Sequence, residues 1–136
     1  MILLDTCAAI WMATGDHSLT RGARSEISRA ARREQLFCSA ITAWEIATLA
    51  RRGRLRLAIS PTAFVNQLFG HPGVREVPVD RDIGLTAGSL PGELHADPAD
   101  RLIIATAIVH GMRLMTRDER ILRYAKASGA LPAIAC

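Results

Sequence analysis

Short apolar runs alternate with helical patterns along this chain. The runs are MILLD at the N-terminus, LFCSA at 36–40, VREVPV at 74–79, RLMT at 113–116 and LPAIA at 131–135. The segments between them have helical periodicity, with an amphipathic helix predicted over 18–35 and an almost wholly apolar helix over 98–110. Strands that alternate with helices form a parallel sheet covered on both faces. The sequence therefore predicts an α/β fold, and Pro78 predicts that the third strand lies at an edge of the sheet.

The chain has the size of one globular domain. Of its 136 residues, 49% are hydrophobic and 22% are charged, which is typical of a soluble globular protein. Its longest apolar run, 102–109, is too short to span a membrane, and Asp5 interrupts the N-terminal run, so no signal peptide is expected. Three cysteines without a C-x-x-C pair favour reduced thiols; they are Cys7, Cys38 and Cys136. We expect one domain over 1–136, in the cytoplasm, with no membrane partner.

Arginine carries the positive charge of the chain. The net charge is +4, and Lys126 is the only lysine among 17 basic residues. Arginine presents planar, bidentate donors to phosphate, so nucleic acid is one partner that this charge favours. An arginine-rich proteome explains the charge equally well. The charge alone leaves both interpretations open.

Acidic residues follow the predicted strands. Asp5 ends the first strand, Glu45 is predicted in the first turn of the helix after the second, and Asp118 follows the fourth. Asp97 and Asp100 begin the apolar helix. Ligands of open parallel sheets bind beyond the carboxyl ends of the strands, near the point where the strand order reverses. All five acids are predicted at that end of the sheet.

Helix capping explains several of these acids one at a time. The segment 42–45, Thr-Ala-Trp-Glu, matches a capping box, Asp97 precedes Pro98 as an N-cap residue does, and Asp118 is placed to cap the last helix. Capping does not require the acids of different helices to share one location, however. Four carboxylates brought together repel one another, and a divalent cation that prefers oxygen ligands relieves that repulsion. The pattern therefore favours a site for Mg²⁺ or Mn²⁺.

A metal site built only of carboxylates, in a basic protein, indicates hydrolysis of phosphodiesters. A divalent metal lowers the pKa of a bound water, which becomes the nucleophile, and it neutralises the charge that develops on the phosphate. A separate histidine base is then not required. The number of metal ions is left open by this argument.

Four sequence blocks resemble the signature blocks of PIN-domain ribonucleases. They are LLDT at 3–6, SAITAWEIA at 39–47, HADPADRLIIATA at 95–107 and LMTRDERI at 114–121. Within that family the chain is most similar to VapC-type toxins of bacterial toxin–antitoxin modules. The resemblance extends over essentially the whole chain. It implies a three-layer α/β/α sandwich on a five-stranded parallel sheet, and Mg²⁺- or Mn²⁺-dependent cleavage of RNA.

The resemblance also implies which residues form the active site. Its catalytic and metal-binding acids are Asp5, Glu45, Asp100 and Asp118. Thr116 resembles the hydroxyl residue that orients ligands or water just before the last acid, and Thr6 follows Asp5 as in the family pattern and is a predicted substrate contact.

Three further residues are interpreted separately. Asp97 is interpreted as a cap that adds negative potential, with a metal role through water as the alternative. Cys7 stands where related sequences often carry a small polar residue or histidine. His95 matches its block and is interpreted as a supporting or structural residue rather than a ligand.

The partners implied by the resemblance are RNA, an antitoxin and a second copy of the chain. VapC-type toxins are held inactive by a small VapB-like antitoxin whose C-terminal segment lies across the acidic pocket, and they form homodimers. Large apolar residues belong to such interfaces or, more commonly, to the core; in this chain they include Trp11, Met12, Trp44 and Phe64.

Two groups of arginines have different expected roles. The first group is Arg51, Arg52 and Arg54. These arginines are predicted to contact the RNA backbone without reading its sequence. An equally favoured alternative is that they only solvate the end of a helix, where positive side chains are favourable. The arginines of 21–33 are predicted to form a solvent-facing surface.

Other functions remain alternatives. A housekeeping RNA-processing nuclease uses the same acids, and the small size of the chain favours the toxin. A phosphatase with an aspartyl nucleophile needs a second Asp at the position of Cys7, and a receiver domain needs a lysine at the end of its last strand; the chain has neither. A PIN-like fold that only binds RNA or a partner does not require all four acids, so their presence argues against that function.

Overall fold

Five strands form one sheet in the computed structural model, which describes residues 1–94 and 96–136. The strands are β1 (Ile2–Leu4), β2 (Leu36–Ser39), β3 (Val74–Val77), β4 (Arg113–Thr116) and β5 (Ala133–Ala135). Paired strands are parallel, and the strand order is β3-β2-β1-β4-β5. The predicted parallel sheet is confirmed, and so is the edge position of β3.

Helices connect and cover the strands. In the described residues they are α1 (Thr6–Thr14), α2 (Arg21–Arg32), α3 (Ile41–Arg51), α4 (Pro61–Gly70), α5 (Arg81–Gly88), α6 (Pro98–Val109) and α7 (Glu119–Ser128). Helices α2 and α6 lie within the helices predicted over 18–35 and 98–110, and the others lie in the segments for which the sequence predicts helical periodicity. Among the described residues, no helix is both long and apolar enough to cross a membrane.

The sheet separates two hydrophobic cores. One core contains Ile2 and Leu4 of β1 with side chains of α1, α2, α3 and α4, and the other contains Leu3 with side chains of α5, α6 and α7. Successive residues of a strand point to opposite faces of the sheet, so the fully buried β1 supplies both cores. The molecule is therefore the three-layer α/β/α sandwich that the resemblance implied.

The strand order reverses at the centre of the sheet. From β1 the chain passes to β2 and β3 on one side, and it then crosses to β4 and β5 on the other. The N–H of Asp5, just past β1, donates to the carbonyl of Met115 in β4 (3.0 Å), which ties the carboxyl ends of the two central strands together. Helices α1 and α7 both begin at this end. Such a reversal is where sheets of this class bind ligands.

Helix α3 begins two residues earlier than the predicted capping box requires. Its N-cap residue is Ala40, which has helical backbone angles (φ −56°, ψ −27°) and makes no side-chain capping hydrogen bond. The N–H of Ala40 donates to the carbonyl of Val77 in β3 (2.9 Å), so strand pairing takes the chain directly into the helix. The capping box at 42–45 is therefore wrong, and Glu45 is the fifth residue of α3 rather than part of its first turn.

The large apolar residues divide between core and surface. Phe64 is buried, and Trp11 and Met12 pack against the first core. Trp44 is 55% exposed. The three cysteines are unpaired, as predicted, and α2 turns Ala23, Ile27 and Ala30 to the core while most of its arginines face solvent.

Candidate active site

Four carboxylates from separate segments line one cavity of about 290 Å³. Asp5 follows β1, Glu45 lies on α3, Asp100 lies in the first turn of α6, and Asp118 lies between β4 and α7. The cavity is therefore at the carboxyl ends of the central strands, where the strand order reverses. The structure brings together all four acids that the sequence predicts for the metal site.

Acids at this end of the sheet cap helices and also lie close to one another. Asp5, Asp97 and Asp118 are the N-cap residues of α1, α6 and α7, and each accepts hydrogen bonds from backbone N–H groups of its own helix (2.7–3.1 Å). The predicted caps at Asp97 and Asp118 are thus confirmed. Because three helices begin at the same place, their N-terminal partial charges add to a positive potential at the cavity.

Thr116 connects two of the acids. It is fully buried at the end of β4, and its hydroxyl oxygen accepts the N–H of Asp118 (3.0 Å). The same hydroxyl hydrogen-bonds the carboxylate of Asp5 and counteracts the rise of the pKa of Asp5. Thr116 therefore sets the positions of Asp5 and Asp118 relative to each other.

Thr6 holds Glu45 in a similar way. The Thr6 hydroxyl donates to Oε1 of Glu45 and lies 3.4 Å from the hydroxyl of Thr42. Thr6 and Thr42 are both buried. The contact directs the carboxylate of α3 towards the start of α1, so Thr6, predicted as a substrate contact, here contacts an acid of the cavity.

Burial and mutual repulsion raise the pKa of two acids. Burial raises the pKa of Asp5 from 3.8 to about 6, and the charges of Asp100 and Asp118 contribute to the rise. The pKa of Glu45 rises from 4.5 to about 7, again mainly through burial, with contributions from Asp100, Asp97 and Asp5. Crowded carboxylates take up protons unless a cation neutralises them. The charge of this cluster therefore fits a divalent cation.

Asp97 belongs to a close group of three acids. One carboxylate oxygen from each of Glu45, Asp97 and Asp100 lies within 4.8 Å of the other two. Asp97 is thus the cap of α6, as interpreted from the sequence, and also a member of the acidic cluster, as the alternative of a metal role requires. Oxygen donors at this spacing suit hard ions such as Mg²⁺ and Mn²⁺. Cys7 also lines the cavity, but burial and nearby carboxylates raise the pKa of its thiol to about 11, so it stays protonated.

Two arginines that the sequence interpretation omitted flank Asp118. The guanidinium of Arg120 forms a bidentate ion pair with the Asp118 carboxylate (Nε–Oδ1 3.2 Å, Nη2–Oδ2 2.8 Å), and this pairing lowers the pKa of Asp118. Arg117 lies over the ring of Trp11, with Cζ 4.5 Å from the ring centre, and both residues line the cavity. The order Arg-Asp-Glu-Arg at 117–120 was the available signal.

Comparison with known proteins decides the family. The family model described as the PIN domain matches residues 2–127. This chain belongs to the PIN domain family. This chain is 40% identical over 120 residues to Ribonuclease VapC22 of Mycobacterium tuberculosis, and the match covers 88% of each chain. The resemblance carried by the four sequence blocks is thereby confirmed.

Solved structures share the fold of this PIN domain. VapBC2 from Rickettsia felis, bound to a DNA fragment from its promoter, matches with a TM-score of 0.71 at 15% identity, over 99% of this chain and 98% of that chain. A toxin–antitoxin complex from Klebsiella pneumoniae matches with a TM-score of 0.59 at 20% identity, over 89% and 90%. At these identities the likeness shows the fold, which agrees with the observed sandwich.

The predicted RNA-contacting arginines lie elsewhere on the PIN domain. Arg51 is the last residue of α3 and Arg52 is its C-cap, about 9 Å along the helix axis from Glu45. Arg51, Arg52 and Arg54 are exposed, and none of them lines the carboxylate cavity. The structure does not bring them to the acids, and their contact with RNA stays a prediction. His95 lies outside the described residues.

Proposed function

We propose that this PIN domain is a metal-dependent endoribonuclease that acts as the toxin of a toxin–antitoxin pair. The observation that carries the proposal is the meeting of Asp5, Glu45, Asp100 and Asp118 in one cavity. The 40% identity to a protein named a ribonuclease supports RNA as the substrate. The structural likeness to a toxin–antitoxin complex supports the toxin role.

The proposed ion is Mg²⁺ or Mn²⁺. The four acids would hold it, with Asp97 beside them, and these groups offer only carboxylate oxygens. A bound ion of this kind supplies an acidified water as nucleophile and neutralises charge on the phosphate that is attacked.

The residues around the acids prepare the site for a phosphodiester. Thr116 and Thr6 hold the carboxylates of Asp5 and Glu45 in place. The N-termini of α1, α6 and α7 provide a positive potential that favours an anionic substrate. Arg117 lies at the wall of the cavity against the ring of Trp11, and its Nε and Nη2 donate to the carbonyls of Cys136 (3.0 Å) and Ser18. Its remaining N–H groups would donate to a phosphate oxygen.

An antitoxin that inhibits this chain is proposed to cover the same cavity.

A second copy of the chain is also proposed as a partner, and the 55% exposed Trp44 is the feature that supports it. Light scattering on the purified chain tests the dimer, with Trp44→Ser expected to shift the mass towards that of a monomer. A monomeric wild-type chain would contradict it.

RNA cleavage by the purified chain tests the proposed activity. The wild type is expected to cut a long bacterial transcript with Mg²⁺ or Mn²⁺ and not with EDTA. Asp100→Asn is expected to lose cleavage because it removes a charged ligand that belongs both to the cavity lining and to the close group of acids. Asp82→Asn is the matched control, because Asp82 is also in the first turn of a helix but is exposed on α5. Cleavage in EDTA, or unimpaired cleavage by Asp100→Asn, would contradict the proposal.

A further inference from the structure

A second and larger cavity lies beside the carboxylate cavity. Its volume is about 620 Å³, within the range of about 300–1,000 Å³ that is usual for ligand pockets. One wall is the segment 91–94, and the other is the exposed side of α7. We call this space the α7 cavity.

Both walls of the α7 cavity continue directly into the active-site acids. The segment 91–94 leads along the chain to Asp97 and Asp100 at the start of α6, and α7 starts at its cap, Asp118. Arg120 belongs to both places, because it lines the α7 cavity while its guanidinium binds the Asp118 carboxylate. The ion pair of Arg120 with Asp118 therefore joins the lining of the α7 cavity to that of the carboxylate cavity.

The lining of the α7 cavity combines positive charge with apolar surface. Two guanidinium groups, of Arg120 and Arg123, lie on the α7 side, and among the residues that the structure describes Glu93 is the one acidic residue of the lining. Arg123 lies about 7.5 Å along the helix axis from Asp118, roughly one nucleotide of an extended strand. The apolar part of the lining includes Leu94 and Ala127. Guanidinium groups bind phosphate, and apolar walls accept the face of a base.

Tyr124 carries a polar group that the fold leaves unsatisfied. Its side chain lines the α7 cavity and is 5% exposed, and its buried hydroxyl oxygen has no hydrogen-bond partner among the described residues. Buried hydroxyls are normally paired. Gly92 on the opposite wall lies close to the Tyr124 ring, since a Cβ there would be in van der Waals contact with Cε2 (3.9 Å). The unpaired hydroxyl is a donor and an acceptor that the fold leaves unused at this wall of the α7 cavity.

We propose that the α7 cavity binds a nucleotide of the RNA that adjoins the cleaved phosphodiester. Arg120 and Arg123 bind the flanking phosphates, the base lies between Leu94 and Ala127, and Tyr124 hydrogen-bonds its edge. The inference rests on the proposed ribonuclease function and adds the place where the substrate is held. A hydroxyl that contacts a base edge gives a preference for one base, whereas the guanidinium contacts do not.

Binding of RNA without cleavage tests the α7 cavity separately from the chemistry. The probe is a fluorescein-labelled RNA of ten random nucleotides, measured by fluorescence anisotropy in EDTA. Arg123→Ala and the blocking variant Ala127→Trp are expected to weaken binding about tenfold, as the loss of a phosphate contact or of a base site does. Arg32→Ala and Ala130→Trp are matched controls at exposed positions outside the lining, and they are expected to bind as the wild type does.

Tyr124→Phe gives an independent readout. It removes an unpaired buried hydroxyl, so the folded state should be at least as stable as that of the wild type. The expected change is in the base preference next to the cut, mapped by sequencing the ends of cleaved transcripts with Mn²⁺ present. Wild-type RNA binding by Arg123→Ala and Ala127→Trp would overturn the proposal, and unchanged base preference in Tyr124→Phe would overturn the contact of Tyr124 with the base.

The outcomes separate the two proposals. If the wild type cuts RNA while the α7-cavity variants bind RNA as the controls do, the ribonuclease function stands and the nucleotide site fails. If those variants bind RNA normally but lose a co-expressed antitoxin, the occupant is a peptide, and the nucleotide site again fails. If the wild type cuts no RNA with either ion, the proposed function itself fails.

Discussion

Replacement of Asp5 by asparagine is expected to stabilise the metal-free protein at alkaline pH, although it removes an acid of the active site. Burial raises the pKa of Asp5 from 3.8 to about 6, so ionisation of this group opposes folding. At 1.36 kcal/mol per pKa unit, the difference corresponds to about 3 kcal/mol of unfolding free energy. Asparagine keeps the side-chain oxygen that caps α1 and carries no charge.

The expected pH dependence follows from the direction of this shift. A carboxyl group with a raised pKa in the folded state binds its proton more tightly there than in the unfolded chain. Its contribution to stability is complete below pH about 4 and is lost as the pH rises through about 6. Asp5→Asn does not have this loss. The two proteins should be similarly stable near pH 4, and the variant should be more stable by about 3 kcal/mol near pH 8.

Urea unfolding in EDTA, followed by tryptophan fluorescence at both pH values, measures the difference. Asp80→Asn is the matched control, because Asp80 caps α5 through a similar bond to the N–H of Ile83 (3.0 Å) but is exposed. Asp80→Asn should not reproduce the stability gain expected of Asp5→Asn. Added Mn²⁺ should stabilise the wild type more than Asp5→Asn, since a ligand of the native state raises stability. No gain at pH 8, or an equal gain at pH 4, would refute the reasoning.

Three further substitutions test other parts of the structure. Arg120→Ala should raise the affinity for Mn²⁺ about two- to fivefold, measured by calorimetry, because the exposed ion pair with Asp118 competes with the metal. Thr116→Val should lower the unfolding free energy by about 1–3 kcal/mol in urea, because both hydrogen bonds of a buried hydroxyl are lost. Gly73→Ala should cost about 1–3 kcal/mol in the same assay, because its Cβ would lie 2.7 Å from that of Ala31.

Each of these substitutions has a control on the same chain. Arg123→Ala, one turn further along α7, should leave the Mn²⁺ affinity unchanged. Thr116→Ser keeps the hydroxyl and should recover most of the stability. Gly84→Ala has open space around its Cβ within α5 and should stabilise the protein by about 0.5–1 kcal/mol. Equal effects in a substitution and its control would contradict the assigned contact.

Patterns within single segments were enough to predict most of the fold. The apolar runs and helical periods are local properties, and each produced the expected strand or helix. Pro78 next to β3 correctly placed that strand at the edge. Asp5, Asp97, Asp100 and Asp118 could be predicted as a group because each follows a strand or begins a helix, and parallel strands bring those positions to one end of the sheet. Glu45 was assigned to the same group through a capping box that the structure does not form.

Contacts between distant segments were not predictable in this way. The start of α3 depends on the hydrogen bond from Ala40 to Val77 in the neighbouring strand, so the capping box at 42–45 was plausible locally and wrong. The double role of Asp97 as cap and cluster member depends on the distance between α3 and α6. The ion pair of Arg120 with Asp118 depends on a rotamer rather than on a sequence pattern.

The location of a bound metal ion is the most direct test of the account. Crystals of the wild-type chain soaked in Mn²⁺ should give an anomalous difference peak at oxygen-ligand distance, about 2–2.5 Å, from the carboxylates of Asp5 and Asp100. Crystals of Asp100→Asn soaked in the same way should lose that peak or show it weakened. A Mn²⁺ peak elsewhere on the wild type, with none among the four acids, would contradict the claim that these acids form a metal site.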